Sequence, residues 1–282
     1  MQIYIEEKME KKKLIILAPI LLIILGLGIF FAIRIIRSSK PAQPAVAEPK
    51  REVPEITLRP FFFLTPRSDG KAFTLKVTRI PKDAKIEYEV TYLTDGVTQG
   101  IIGQVVPEQG KDFYEREHIF GTCSKNVCKY DRNVEFGKWK ASIETKENIY
   151  EMVGDFHLQK FDFAGGKIEL ADKFTVEVPK GGFKKITWTI SQGNNSLPSS
   201  LPSGMMTTVG PFSVGSSDSL SGQAKLTVQL PQIPLNTSLK ILFWGQNKNT
   251  WADLGGEVNQ EAKTITSKID SLGTFVVASS SL

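Results

Sequence analysis

Few residues in this chain are of types and spacings that do chemistry. Two cysteines, Cys123 and Cys128, enclose a short polar turn in Gly121-Thr-Cys123-Ser-Lys-Asn-Val-Cys128-Lys-Tyr130. In an oxidising compartment this spacing closes a disulfide across a hairpin tip and fixes the loop. In a reducing compartment the same pair stays as free thiols. A third arrangement is a zinc site completed by His118 and His157, whose spacings are looser and less regular than two-cysteine two-histidine sites use. The disulfide is the expectation, and its role is structural.

His118 and His157 are the only histidines, which restricts any arrangement of nucleophile, base and orienting group. No Gly-x-Ser-x-Gly elbow, phosphate-binding glycine loop or His-Glu-x-x-His segment occurs. Glu115, Glu117, Asp155 and Asp162 are carboxylates that a glycosidase could pair, but acidic residues are plentiful on any solvated sheet face. The reading is therefore of a chain with no catalytic residues, no cofactor and no metal.

The elements that carry these residues are strands. From about Val53 onward the apolar side chains recur with period two, which places alternate residues on opposite faces of a strand. Ile86-Glu-Tyr88-Glu-Val90-Thr-Tyr92 is the clearest run. Phe73, Leu75 and Val77 repeat the pattern, as do Phe174, Val176 and Val178, then Ile186, Trp188 and Ile190, then Leu226, Val228 and Leu230. Turn signals stand between them at Ser68-Asp69-Gly70, Thr94-Asp95-Gly96, Gly165-Gly166 and Gly181-Gly182. Phe61-Phe62-Phe63 does not alternate and reads as a strand buried on both faces or a domain-edge plug, in preference to a ligand platform. The fold class predicted is all-β, with sheets packed face to face.

Composition divides that β region at Pro179-Lys180-Gly181-Gly182. Residues 52–180 carry 40 charged side chains, and 181–282 carry 12 and are rich in Ser, Thr, Asn and Gly. Two tandem β-sandwich domains, 55–180 and 181–282, are predicted on that change. Asn194-Asn195-Ser196 and Asn236-Thr237-Ser238 match the three-residue glycosylation acceptor, a pattern common by chance.

Before them lies Leu14 to Ile33, twenty residues without a charge, closed by Arg34 and Arg37. At ~1.5 Å per residue it reaches the ~30 Å of a hydrocarbon core. The expected order is a cytoplasmic tail at 1–13, a single transmembrane anchor at 14–36 and a Pro/Ala-rich linker at 37–54 that favours extended polyproline conformation. The run is longer than a cleaved signal's apolar region, so the anchor is read as uncleaved, with cleavage the alternative. Lys11, Lys12 and Lys13 abut the span and favour an N-terminus inside and a C-terminal part outside.

The formal charge of +5 and pI near 9.0 suggest a nucleic-acid partner until the charge is located. Residues 1–51 hold 9 Lys and Arg against 4 Asp and Glu, 52–180 hold 19 against 21, and 181–282 hold 7 against 5. The basic excess sits beside the proposed span, where it faces lipid headgroups, and no nucleic-acid partner is expected.

The C-terminal segment runs through Leu239-Lys-Ile241-Leu-Phe243-Trp244, Trp251-Ala-Asp-Leu-Gly255-Gly256 and Lys263-Thr-Ile265 to Ile269-Asp-Ser271-Leu272-Gly273-Thr274-Phe275-Val-Val277. It resembles the closing strands of the GAIN-type autoproteolysis domain. The resemblance implies a β-sandwich end piece. It places the cleavage site at Ser271, Leu272, Gly273 and Thr274, in degenerate form: glycine stands at the nucleophile position, and Ser271-Leu272 replaces the preceding His-Leu pair. Thr274 has a hydroxyl but, one residue along a strand, points to the opposite face. Ile241, Gly256, Ser267 and Ile269 stand where that family has hairpin cysteines. The preceding part resembles surface domains of bacteria that imply no activity.

Together these readings predict a single-pass protein of the cytoplasmic membrane that displays its β domains outside. It would have a structural, adhesive or partner-binding role toward an envelope protein or glycan. The competing class is an extracytoplasmic hydrolase of envelope carbohydrate.

Overall fold

The computed structural model describes residues 52–108, 111–125, 127–234, 237–245, 248 and 250–281. The expected tail, the span at 14–36 and the linker up to residue 51 lie outside them. Among the described residues no helix is long and apolar enough to cross a membrane.

Those residues form an all-β structure of antiparallel sheets. The largest sheet has nine strands: β16 (Ala252–Asp253), β15 (Thr237–Trp244), β19 (Thr274–Ser281), β13 (Met205–Ser216), β12 (Thr187–Gly193), β9 (Ile149–Phe161), β8 (Phe136–Glu144), β3 (Lys85–Thr94) and β4 (Val97–Gln104), in that spatial order. A three-stranded sheet orders β1 (Phe61–Pro66), β2 (Ala72–Thr78) and β5 (Tyr114–Ile119). A five-stranded sheet orders β10 (Gly166–Leu170), β11 (Phe174–Val178), β14 (Ala224–Gln229), β18 (Thr264–Ile269) and β17 (Glu257–Asn259). The hairpin of β6 (Gly121–Ser124) and β7 (Val127–Tyr130) stands apart.

Alternation decides what each strand buries. In β3 every second residue from Ile86 to Thr94 is buried while Lys85, Glu87 and Glu89 are exposed. Asp95 and Gly96 turn the chain into β4 with φ of 46° and 79°, the left-handed pair that a two-residue hairpin needs.

Two large apolar cores result, on opposite faces of the nine-stranded sheet, beside a small third cluster of Leu197, Leu242, Val276 and Ala278. The first packs Phe62, Leu64, Phe73 and Leu75 of the three-stranded sheet against Ile86, Val90, Trp139, Met152 and Leu158, with Phe62 stacked on Trp139 at 4.9 Å. The second packs Phe174, Val176, Leu226 and Ile265 of the five-stranded sheet against Phe212, Ile241, Phe243 and Phe275. Register places them on different faces. Ile190 of the first core is opposite Gly215, whereas Val214 of the second is opposite Ser191, one residue out of phase.

Central strand β12 is covered on both sides, and Thr187, Thr189, Ser191 and Gln192 are each 0% exposed. Gln192 joins the three-stranded sheet to it. Its Oε1 accepts from the Leu64 backbone N–H at 2.7 Å and its Nε2 donates to the Phe62 carbonyl at 2.9 Å, an added peptide-like pair.

The change of composition at Lys180 and Gly181 falls inside this shared framework. β9 on one side of it pairs with β12 on the other, and β10 and β11, N-terminal to it, complete the second core with β14 and β18. Charge density reports which residues meet solvent, and pairing follows the buried faces instead.

Candidate functional site

One recess among the described residues is an open cleft of about 720 Å³, within the range of ligand sites. It lies in the angle between the outer face of the three-stranded sheet and the ends of β15 and β19. Register builds its floor: Phe61 is opposite Thr78, Phe63 opposite Lys76 and Thr65 opposite Thr74, and Lys76 in turn opposes Glu115. These residues share one face because Phe62 and Leu64 take the other into the first core. Phe113, Pro198, Trp244 and Thr274 close the sides.

The expectation of a doubly buried strand at Phe61-Phe62-Phe63 holds, since all three are at least 95% buried. What periodicity did not reveal is that Phe61 and Phe63, 6.3 Å apart between ring centres, line this cleft. Trp244 and Trp251, read as strand residues of the C-terminal hairpin, meet edge to face at 5.4 Å, and the Trp251 indole donates to the Ser200 carbonyl at 3.0 Å.

Two cations serve the cleft differently. Lys76 is 3.7 Å from the Glu115 carboxylate and lies over the Phe113 ring at 5.0 Å. Arg79, at φ 60°, donates to the Leu197 carbonyl at 3.3 Å and has no carboxylate partner among the described residues. Burial holds its guanidinium below the ordinary arginine range. Arg59 beside it donates to the carbonyls of Pro54 and Asn195, both at 2.7 Å, so the two arginines fix the loop that carries Pro198.

A polar chain runs from the sheet junction to the cleft wall. Gln192 donates to Asn194 Oδ1 at 3.1 Å, Asn194 Nδ2 donates to Ser213 Oγ at 2.8 Å, and Ser213 Oγ shares a hydrogen bond with Thr274 Oγ1 at 2.9 Å. The Asn194 amide, part of one glycosylation acceptor, is thus committed inside the fold. Asn236 lies outside the described residues.

The four residues of the degenerate cleavage site are spread over different environments. Ser271 bonds Asp270 at 2.8 Å on the surface. Leu272 packs against the second core. Gly273 accepts from the Val214 N–H at 2.8 Å. Thr274 is 1% exposed with its hydroxyl on Ser213, while Phe275 faces the second core. Among the described residues no base touches the Thr274 hydroxyl.

The remaining sequence candidates do not converge. Cys123 and Cys128 face each other across β6 and β7 and form a disulfide. His118 Nε2 bonds the Tyr88 hydroxyl at 2.8 Å, and Tyr88 bonds Tyr114 at 2.8 Å. Burial, then Arg116, pushes the His118 pKa down. His157 stacks on Phe136 at 4.1 Å with Nδ1 3.1 Å from the Glu169 carbonyl, and burial lowers its pKa despite Glu135 and Glu169. Glu117 pairs with Arg67 at 2.9 Å, Asp155 lies 3.7 Å from Lys138, and Asp162 caps a turn through the Ala164 N–H at 2.8 Å. Among the described residues no three His, Cys, Asp or Glu side chains are grouped to hold a metal ion.

No protein-family model matches the chain, and no curated protein matches it significantly.

Proposed function

We propose that this chain is a membrane-anchored surface protein, held by residues 14–36 with its N-terminus inside, whose β region binds an envelope protein or glycan outside the cell without catalysis. In this reading the two cores are the centres of two sandwich modules that share their middle sheet, the second module taking β10 and β11 from before residue 180, and residues 37–54 hold them off the bilayer.

The observation that supports it is the cleft itself. Phe113 and Trp244 offer apolar contact over a floor backed by the buried Phe61 and Phe63, and Thr65, Thr74 and Thr78 offer hydroxyls along one face. Arg79 supplies a cation without a carboxylate, which suits a ligand that carries an acidic group. The described residues from 52 onward belong to one compact unit, so the piece 53–282 serves as bait against envelope proteins and glycans of the same cell. Capture that is lost in Trp244→Ala and Arg79→Gln supports the reading. Capture unchanged in both variants removes the cleft from it.

One observation favours the hydrolase reading: Asp112 and Glu115 both line the aromatic cleft. Carboxylates in a glycosidase stand about 5 to 10 Å apart across the scissile bond. Release of reducing ends from envelope polysaccharide, abolished by Asp112→Asn and Glu115→Gln, would establish that activity and displace the non-catalytic role.

A further inference from the structure

Among the described residues the edges of the three larger sheets are guarded, with one exception. The outer edge of β10 is covered by β9 and β12 side chains: Gln159 accepts from Glu169 N at 2.8 Å and donates to the Lys167 carbonyl at 2.9 Å, and Ser191 donates to the Glu169 carbonyl at 2.6 Å. Gln192 occupies the edge of β1. β16 and β17 have two and three residues, and β5 carries Glu115, Arg116 and Glu117. Each is a recognised way to keep a strand from recruiting another.

β4 has none of these features. It spans eight residues, Val-Thr-Gln-Gly-Ile-Ile-Gly-Gln, without a charge or proline, and pairs only with β3 among the described residues. Ile102 is 80% exposed. Val105 N donates to the Ile86 carbonyl at 2.9 Å, which sets the phase of the ladder. Gln99, Ile101 and Gly103 therefore turn their backbone groups to β3, and Thr98, Gly100, Ile102 and Gln104 turn theirs outward.

We infer that this edge pairs with β4 of a second copy, antiparallel about a two-fold axis at Ile101. In that register the outward residues meet only one another, Thr98 with Gln104 and Gly100 with Ile102. Four two-bond pairs close, and no like charges are opposed. Each Ile102 then covers a Gly100, repeating within the interface the large-over-glycine pairing that this sheet uses between Tyr88 and Gly103. An uncharged edge gives a charged partner nothing to recognise, whereas a self-complementary one suits an isologous contact.

The test uses the full chain in detergent, with molar mass measured by light scattering. Thr98 and Gln104 are exposed, so substitutions there leave the cores intact. Wild type should be dimeric. Thr98→Lys with Gln104→Lys should halve the mass, as should Thr98→Glu with Gln104→Glu, and mixing the two variants should restore the dimer because opposite charges then face each other. A monomeric wild type overturns the inference, as does a dimer that neither double variant dissociates. So does a mixture that stays monomeric.

Discussion

Trp139 lies directly opposite Gly154 on the neighbouring strand, and its indole covers the bare backbone there. A Cβ at residue 154 would collide with the indole and with the Gly193 carbonyl oxygen. Phe156 covers Gly137 in the same way, so glycines in this sheet mark where an aromatic ring of the first core needs room. Gly154→Ala should cost about 1 to 3 kcal/mol by overpacking. Gly193→Ala is the contrast: its nearest neighbour would be Leu170 Cδ2 at 3.7 Å, and it should stay within about 0.5 kcal/mol of wild type. Urea midpoints at constant slope measure both, and equal effects would contradict the packing argument.

Gln192 predicts a larger loss from one side chain. Gln192→Met keeps the length of the side chain and removes both of its bonds to β1. The Leu64 N–H and Phe62 carbonyl would then be left unpaired in a dry junction, at ~1–3 kcal/mol each. The Leu64 amide should also lose its protection from hydrogen exchange. A variant with wild-type stability would show that water or another donor replaces the amide.

Much of this architecture is legible in the residues. Ile86 to Tyr92 alternates because one face of β3 meets the core and the other meets water, and Asp95-Gly96 fixes the hairpin by its backbone alone. β12 is not legible in that way. Ile186, Trp188 and Ile190 read as its buried face, yet Ile186 is 54% exposed and Thr187, Thr189 and Ser191 are wholly buried. Polar residues go inside there because the strand is covered by a different sheet on each face, and local alternation carries no record of the second cover. The cleft was hidden for a related reason. Its walls come from β1, β2, β5, β15 and β19, which only long-range pairing brings together.

The two histidines set the acid limb of stability. Burial depresses both below the ordinary value of 6.5, so the folded state binds fewer protons than the unfolded chain just below that pH. Their contribution is complete above about pH 6.5 and is lost as pH falls toward the folded values. Asp69 beside Arg67 and Asp253 beside Lys240 are held below 3.8, and their contribution is lost only in a lower range. Urea midpoints should therefore fall between about pH 7 and about pH 5, and the double variant His118→Gln, His157→Gln should flatten that step. A midpoint that rises on acidification in this window would reverse the assignment.

Gly273 bears on self-cleavage. At that position a Cβ would come within 2.5 Å of the Trp244 carbonyl oxygen and 2.8 Å of the Phe243 ring, so a nucleophile-bearing residue does not fit without moving the end of β15. The neighbouring Thr274 hydroxyl is held by Ser213 and is not positioned by a base. Purified chain should stay in one piece on prolonged standing. Gly273→Ser should also stay uncut, and should lose about 1 to 3 kcal/mol of stability through the clash. Mass spectrometry of the intact chain reads cleavage directly, and a fragment beginning at residue 273 or 274 in either protein would overturn the assignment.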